Sequence, residues 1–279
     1  MHPVVDHKQG MSGQNPKLYL QIFKNTWSEI MTYRVNFLFW RIRMVMQMLV
    51  VYFLWNAFYA NRTALFGYSR EMMLTYVLLI SIVRTIVLST TTVDIGNKIN
   101  QGDLSNYLVK PICFVCFYFS RDMADKLLNL ICGIFEVGIF ILILNPPLAF
   151  QPDLFVTSTF LVAAGIGAVL YFYFSLLIGF IGFWSTEVWA PRFLSLTIME
   201  FFAGTLFPLD ILPQSLYTIS QVLPFHYFIY FPIKVYLGQL TQTEILAGLT
   251  VSVGWVILLL LLTRYIWSKG LKIYQAEGK

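Results

Sequence analysis

Long apolar runs alternate with short polar stretches along the chain, a pattern that indicates helices crossing a membrane. Six runs approach the ~20 apolar residues needed to cross a hydrocarbon core of about 30 Å. Their approximate bounds are 37–59, 71–92, 126–144, 154–184, 192–207 and 245–267. We therefore predict an all-α membrane protein with six transmembrane helices, built as a single domain over residues 17–279.

The stretch before the first run has a different pattern, typical of an amphipathic helix over residues 17–34. Leu20, Phe23 and Trp27 recur at helical spacing on one face, with polar residues on the other. A charged, aromatic helix of this kind lies in the membrane interface rather than across the bilayer. Residues 1–16 are polar and lack an apolar core, so we expect a polar tail and no cleavable signal peptide.

Composition supports the membrane assignment. Of the 279 residues, 58% are hydrophobic and 12% charged, whereas a soluble domain is about 45–50% apolar and about 25% charged. The net charge of +5 is explained by orientation rather than by nucleic-acid binding. With the N-terminus inside, fifteen Lys and Arg residues lie in inner segments and three in outer ones. This asymmetry predicts that both termini are cytoplasmic.

A polar segment, VDIGNKINQGDLSNYLVKP, separates the second and third runs. We call these residues, 93–111, the docking segment. Gly102 is predicted to end a first short helix over 93–101 with a left-handed cap, and Asp103 to cap a second over 104–109. Pro111 ends the second helix. Two short helices outside the bilayer present a docking surface, and a simple solvated loop is the alternative.

A second unusual segment, residues 207–238, is apolar but interrupted. We call it the outer segment. Its four interruptions are Pro208, Pro213, Pro224 and Pro232. No piece between them is long enough to cross the bilayer, and irregular backbone at that depth persists only where protein or a water-filled cavity covers it. We therefore predict a re-entrant hairpin, whose outer gate is formed by Phe207, Pro208, Pro224 and His226.

Three ionisable residues, Arg84, Glu136 and Glu200, lie deep within predicted spans. A charge at the centre of a span costs about 2.5–3.5 kcal/mol on insertion scales. Arg84 lies roughly 12 Å and Glu136 roughly 15 Å from the inner ends of their helices, which predicts an ion pair between them. Glu200 is then left without a cation, either protonated or facing a pathway. Arg41, near the start of the first span, is predicted to reach the headgroups.

Two stretches carry a resemblance to a known family. INQGDLSNYLVKPI follows the second run, and FFAGTLFPLDILPQSLYTISQVLPFHYFIYFPIKVYLG includes the end of the fifth. With the six runs and the amphipathic helix, they resemble a type-2 ABC exporter permease, of a bacterial branch that often works as a pair of related permeases. The resemblance implies an inner-membrane protein that forms a homo- or heterodimer with its pathway between subunits. It also implies a separate ABC ATPase dimer that binds ATP and Mg.

The resemblance also assigns roles to residues. It places a coupling helix in the docking segment, with an ATPase contacted by the polar residues Asp94, Asn97, Lys98, Gln101 and Asp103. The apolar residues that anchor this segment are Ile95, Ile99 and Leu104. It places the fifth span beside the pathway, with Glu200, Phe201 and Phe202. An acid among aromatic rings favours an amphipathic small molecule or peptide, cationic or neutral, as the substrate.

Other kinds of function have weaker support. The chain has no GxxxxGK[ST] phosphate loop, GxSxG elbow or HExxH motif, so we expect no catalytic site, no metal and no cofactor in this chain. Cys113 and Cys116 form a CxxC, but the lack of a second pair makes metal or redox chemistry a weak prediction. A secondary transporter, which typically has inverted repeats, and a non-transporting membrane scaffold remain the alternatives.

Overall fold

The computed structural model describes residues 16–274, and this part of the chain is mostly helical. The helices are α1 (Pro16–Thr32), α2 (Arg34–Phe58), α3 (Arg70–Val87), α4 (Ile95–Asn100), α5 (Ser105–Leu108), α6 (Phe114–Leu144), α7 (Leu154–Gly179), α8 (Trp189–Phe202), α9 (Gln214–Val222), α10 (Tyr230–Tyr236) and α11 (Gln242–Ile273). A two-residue ribbon pairs β1 (Ala64–Leu65) with β2 (Tyr68–Ser69) in antiparallel register. The predicted all-α class is confirmed, whereas residues 1–15 of the predicted tail lie outside the described residues.

Four helical stretches of the described chain are long and apolar enough to cross a membrane. They are α2, α6, α11, and α7 together with the 3₁₀ turn Phe180–Phe183 that continues it. The predicted second and fifth spans are the helices α3 and α8, of 18 and 14 residues. At 1.5 Å per residue these reach about 27 and 21 Å, less than the about 30 Å of a hydrocarbon core. The prediction of six spans is therefore not confirmed.

Helix α7 occupies the centre of the molecule. More than half of its apolar window is buried, and it packs against α11, α10 and α3. Small residues allow this close packing. At Gly167 an added Cβ would lie 2.8 Å from the carbonyl oxygen of Phe228, so the backbone that leads into α10 rests directly on α7.

Helix α1 packs along the first half of α6. Its buried residues are Ile22 and Thr26. The Ser120 hydroxyl donates a hydrogen bond to the carbonyl of Tyr19 at 2.7 Å, and Arg121 pairs with Glu29 at 2.7 Å. The amphipathic helix predicted from the sequence is thus present, whereas its position at the membrane surface stays a prediction.

Helix α6 begins at Phe114, twelve residues before the predicted start of the third span at Lys126. The sequence pattern predicted the apolar part of this helix and not its polar first turns, and the bounds of the span in a bilayer stay a prediction. Asp122 and Lys126, in the polar part, are buried in the protein. The helix therefore extends beyond its apolar half and carries these side chains into the molecule.

The outer segment folds into short helical pieces between α8 and α11. They are the 3₁₀ turns Leu209–Ile211 and Pro224–Tyr227 and the helices α9 and α10. Pro213 directly precedes α9 and Pro224 opens a 3₁₀ turn, positions where the missing N–H costs little. Residues 226–235 are all buried. The interruption of the helix was predicted correctly, and the depth of this segment in a bilayer stays a prediction.

Candidate functional site

The docking segment is held to the molecule by its apolar residues. Ile95, Ile99 and Leu104 are each almost fully buried. They belong to a cluster that also contains Phe114, Tyr118, Phe172, Leu176, Phe180 and Phe183. Through these side chains helix α4 rests on the end of α7 and the start of α6.

The polar residues of the docking segment lie on its other side. Asp94, Asn97, Gln101 and Asp103 are exposed. Lys98 differs, because it is half-buried and its Nζ lies 3.3 Å from the Tyr118 hydroxyl and 3.5 Å from that of Tyr107. The exposed face of the segment thus carries two carboxylates and two amides.

The predicted caps of the docking segment are only partly correct. Gly102 has a φ of +81°, the left-handed conformation predicted to follow the first helix. Asp103 does not cap the second helix, because that position is taken by Leu104. The Asp103 carboxylate instead accepts a hydrogen bond from the side-chain amide of Asn106 at 3.5 Å.

Glycines bring α4 into direct backbone contact with the end of α7. At Gly182 an added Cβ would lie 2.6 Å from the carbonyl oxygen of Gly96. At Gly96 an added Cβ would lie 2.5 Å from a methyl group of Val188, just before α8. No side chain fits between the backbones of Gly96 and Gly182, and the Val188 side chain packs directly on Gly96, so α4 is wedged between the 3₁₀ turn after α7 and the start of α8.

Residues 88–94, which connect α3 to α4, are held by a buried ion pair on α6. The Lys126 ammonium donates hydrogen bonds to the carbonyls of Val87, at 3.0 Å, and Ser89. It lies 3.2 Å from a carboxylate oxygen of Asp122, and that carboxylate accepts the N–H of Thr91 at 3.1 Å. The side chains of Lys126 and Asp122 thus form hydrogen bonds with backbone carbonyl and N–H groups at the end of α3 and just after it.

Arg192 joins α8 to the same connection. Its guanidinium donates to the carbonyl of Val93 at 3.2 Å and to the hydroxyl of Ser175, on α7, at 3.1 Å. The Ser175 hydroxyl lies 2.6 Å from that of Thr92. The side chain of Arg192 is buried, so one cation ties α8 and α7 to the residue that leads into α4.

Tyr274, after α11, holds the turn between the two docking helices. Its hydroxyl donates to the carbonyl of Gly102 at 2.6 Å and accepts the N–H of Ser105 at 3.1 Å. The residue that follows α11 therefore clamps the turn between α4 and α5.

The intramembrane charges pair differently from the prediction. Arg41 binds Glu136 through two nitrogens, with Nε donating to Oε1 at 2.7 Å and Nη2 donating to Oε2. It also donates to the side-chain oxygen of Asn129 at 3.2 Å. Only 5% of the Arg41 side chain is exposed, so the prediction that it reaches the headgroups is wrong.

Arg84 pairs with Glu200 rather than with Glu136. Arg84 and Glu136 line one cavity between α2, α3 and α6, so their predicted proximity was reasonable although the pairing is wrong. Glu200 is not a spare acid, because Arg84 offsets its charge. Its side chain is nevertheless 40% exposed. Beside it the rings of Phe201 and Phe202 lie 5.1 Å apart.

Comparison with known families decides what kind of protein this is. Residues 44–278 match the family described as ABC-2 family transporter protein, which covers most of the chain. The chain belongs to this family. It is a type-2 ABC permease, as the resemblance implied. A comparison with curated proteins found no match.

Membership of this family implies that the permease works as one subunit of an ABC transporter. Its members are the membrane components of ABC transporters and lack the ATPase domain, which implies an ABC ATPase as the partner chain. Together with the four long apolar helices, this makes the chain a multi-pass membrane protein.

At its other end the permease holds a polar cluster that the sequence analysis missed. Lys234 donates to a carboxylate oxygen of Asp210 at 2.8 Å, to the Tyr68 hydroxyl at 3.1 Å and to the side chain of Gln239 at 2.6 Å. Tyr68 donates to the same carboxylate at 2.9 Å. Burial and the Asp210 carboxylate raise the pKa of the Tyr68 phenol, so it stays a neutral donor.

The residues predicted to form the outer gate of the permease are mostly buried. Pro208, Pro224 and His226 are buried and Phe207 is half-buried. The His226 ring lies 4.8 Å from that of Tyr230, and its Nδ1 lies 3.5 Å from the Ser220 hydroxyl. These contacts describe packing, and the gating role stays a prediction. Within residues 16–274 no group of three or more His, Cys, Asp or Glu side chains is arranged to hold a metal.

The two cysteines of the CxxC motif are joined by a disulfide in the permease. Cys113 is the N-cap residue of α6, and its sulfur accepts the backbone N–H of Cys116 at 3.2 Å. Cys132, further along α6, is free. The sequence, in which the CxxC motif has no second pair, did not predict this disulfide.

Sequence reasoning missed the residues that hold the docking segment from behind. For Asp122 and Lys126 a signal existed, since opposite charges four residues apart on one helix face favour a pair. For Arg192 and Tyr274 no local signal existed, because their partners lie 99 and 172 residues away in the chain.

Proposed function

We propose that this permease is the membrane-spanning subunit of an ATP-driven exporter in a bacterial inner membrane, with both termini in the cytoplasm. Two permease chains, identical or related, form the pathway between them. A separate ABC ATPase dimer binds ATP and Mg and docks on the cytoplasmic side. Export, the dimer and the orientation are supported by the family resemblance and by the fifteen-to-three distribution of Lys and Arg.

The docking segment carries this proposal. Its inner side is fixed by Ile95, Ile99 and Leu104, while Asp94, Asn97, Gln101 and Asp103 face outward. A solvated loop needs no such anchoring, whereas a surface that transmits force to a partner does. A rigid face with two carboxylates suits an ATPase cleft that carries positive charge.

The contacts behind the segment support a route by which ATPase movement reaches the membrane. Movement of α4 is passed to α8 through the bond from Arg192 to Val93 and through the wedge of Gly96 against Val188. It is passed to α6 through the Lys126–Asp122 pair. Packed side chains and hydrogen-bond networks of this kind carry coupling between distant sites.

The substrate is proposed to be an amphipathic small molecule or peptide. The rings of Phe201, Phe202 and Phe207 cluster at the end of α8 and offer an apolar surface. Because Arg84 offsets the charge of Glu200, that carboxylate no longer gives a reason for the permease to prefer cationic substrates. Neutral amphipathic molecules therefore suit this surface as well as cationic ones.

The decisive experiment reverses the two charges of the docking face. Asp94→Lys combined with Asp103→Lys should weaken association with the ABC ATPase that co-purifies with the wild-type chain by about tenfold, roughly 1.4 kcal/mol. Membrane insertion should be unchanged, because both side chains are exposed. ATP-dependent export should fall with association.

Glu71→Lys is the matched control, since Glu71 is also exposed but lies in the first turn of α3, at the opposite end of that helix from the docking segment. Wild-type association and export in the double variant would refute docking by this face. Substrate movement that needs no ATP would favour a secondary transporter. A chain that binds no ATPase and moves no substrate would favour a scaffold.

A further inference from the structure

The disulfide at the start of α6 lies where a reactive thiol is favoured. Cys113 is the N-cap residue of this 31-residue helix, and Cys116 follows three residues later. Their Cα atoms are 5.2 Å apart, within the about 4.4–6.8 Å that a disulfide spans without backbone movement. Both side chains are half-buried, so a small thiol reagent has access.

Two features stabilise a thiolate at Cys113. The positive end of the dipole of α6 favours a negative charge at the N-cap. The backbone N–H of Cys116 donates to the Cys113 sulfur at 3.2 Å, and an N–H donor of this kind favours the charged form of the sulfur that accepts it. Cys113 is therefore the attacking thiol of the pair, and Cys116 is the resolving thiol.

The residues around the pair contact the docking segment. The rings of Phe114 and Phe117 lie 5.7 and 5.4 Å from the ring of Tyr107, in α5. The hydroxyl of Tyr107 lies 3.5 Å from the Lys98 ammonium, in α4. A change in the first turn of α6 thus reaches both docking helices through one tyrosine.

We propose that Cys113 and Cys116 are a redox-active pair whose oxidation state sets the rigidity of the docking segment. The proposal rests on the cytoplasmic placement of this segment in the proposed function. The cytoplasm keeps thiols reduced, so the dithiol is the resting form. The disulfide forms when the thiol pool turns oxidising, and the closed first turn of α6 then holds Tyr107 and α5 more firmly.

The reaction is a thiol–disulfide exchange with a low-molecular-weight disulfide. The Cys113 thiolate attacks one sulfur of glutathione disulfide and releases one glutathione thiolate. The Cys116 thiol loses its proton and attacks the Cys113 sulfur, releasing the second glutathione. Two protein thiols and one glutathione disulfide thus become one protein disulfide and two glutathione thiols, and a dithiol reductant reverses the exchange.

The first test counts free thiols in the full-length chain in its native membrane. Membranes are equilibrated in glutathione buffers from reducing to oxidising, quenched with acid and alkylated with a maleimide mass tag. Wild type should change reversibly from three tags to one, and Cys132→Ser from two to none. Cys113→Ser and Cys116→Ser should form no internal disulfide. A pair that never oxidises, or that stays oxidised in every buffer, would overturn the proposal.

The second test compares reactivity at pH 7. Cys113 in the Cys116→Ser/Cys132→Ser variant should be alkylated by monobromobimane about tenfold faster than Cys132 in the Cys113→Ser/Cys116→Ser variant. Cys132 is the matched control, because it is a half-buried thiol in the middle of the same helix. Equal rates would overturn the assignment of Cys113 as the attacking thiol.

The third test measures hydrogen exchange of residues 103–110. Their amides should exchange roughly threefold more slowly in the oxidised chain than in the reduced chain, and Cys113→Ser/Cys116→Ser should show no dependence on the buffer. Equal exchange in both forms would overturn the proposal that the oxidation state of the pair sets the rigidity of the docking segment. None of these measurements needs the ATPase, so a failure here is distinct from a failure of ATPase association.

Discussion

At the scale of single residues, Arg41 on α2 and Glu136 on α6 offset each other's charge in the interior of the protein. The guanidinium fork matches the carboxylate with two parallel bonds, and Asn129 accepts a third at 3.2 Å. Since 5% of Arg41 and 21% of Glu136 are exposed, removal of one partner strands a charge in an apolar setting.

We expect Arg41→Met to lower the free energy of unfolding by about 3–5 kcal/mol, because Glu136 is then buried without a cation. Arg41→Met combined with Glu136→Met should be clearly milder. Thermal unfolding in detergent, arranged as a double-mutant cycle, measures the coupling energy. The matched cycle between Arg84 and Glu136 should give a much smaller coupling energy. The reverse ranking of the two cycles would contradict the pairing described here.

The sequence predicted that these charges need partners, but not which partners they have. Arg84 and Glu136 do line one cavity, so the two residues lie near each other although they are not partners. Pairing also depends on which side of each helix faces its neighbour, and that is set by packing between helices rather than by position along one chain. Arg41 was placed at the headgroups because it lies near a helix start, yet its side chain turns inward to Glu136.

At the scale of elements, α4 is too short to be stable alone. It has six residues, whereas isolated helices shorter than about 12–15 residues are marginal in water. Its conformation therefore depends on the contact between Gly96 and Gly182 and on its buried isoleucines.

We expect Gly182→Ala to displace α4, because the new methyl group would lie 2.6 Å from the carbonyl oxygen of Gly96. Overpacking of this kind costs about 1–3 kcal/mol. Hydrogen exchange of residues 95–100 should rise, and association with the ATPase should fall.

Gly138→Ala is the control for this substitution, since nothing lies within 4 Å of the added Cβ within α6. There the change should stabilise the helix by about 0.5–1 kcal/mol, as alanine replaces glycine in a helix interior. Equal effects of the two substitutions on residues 95–100 would contradict the proposed wedge.

Elements with a local signal were predicted better than elements without one. Gly102 supplied its own signal and adopts the left-handed conformation. The cap at Asp103 was predicted from residue type alone, and the structure uses that carboxylate for Asn106 instead. The polar first turns of α6 were not predicted, because the burial of Asp122 and Lys126 depends on residues 87–91, at the end of α3 and in the connection that follows it.

At the scale of the whole molecule, the orientation is open to a direct test. In a chain with all three cysteines replaced by serine, Thr63→Cys should react with a membrane-impermeant maleimide in intact cells. Asn106→Cys should react only after the membrane is permeabilised. Both positions are exposed, so access depends on the side of the membrane alone. The opposite pattern would invert the topology and remove the docking segment from the cytoplasm.

The hydrogen bond from Tyr274 to Gly102 means that the docking segment depends on a residue that is synthesised much later. Gly102 leaves the ribosome 172 residues before the tyrosine that holds it, and chains begin to fold from the N-terminus during synthesis. Until α11 has been made and inserted, the turn between α4 and α5 lacks this clamp. The turn therefore gains its clamp only after α11 has been made, so an ATPase that requires the clamped turn selects permeases whose α11 is in place over chains that still lack it.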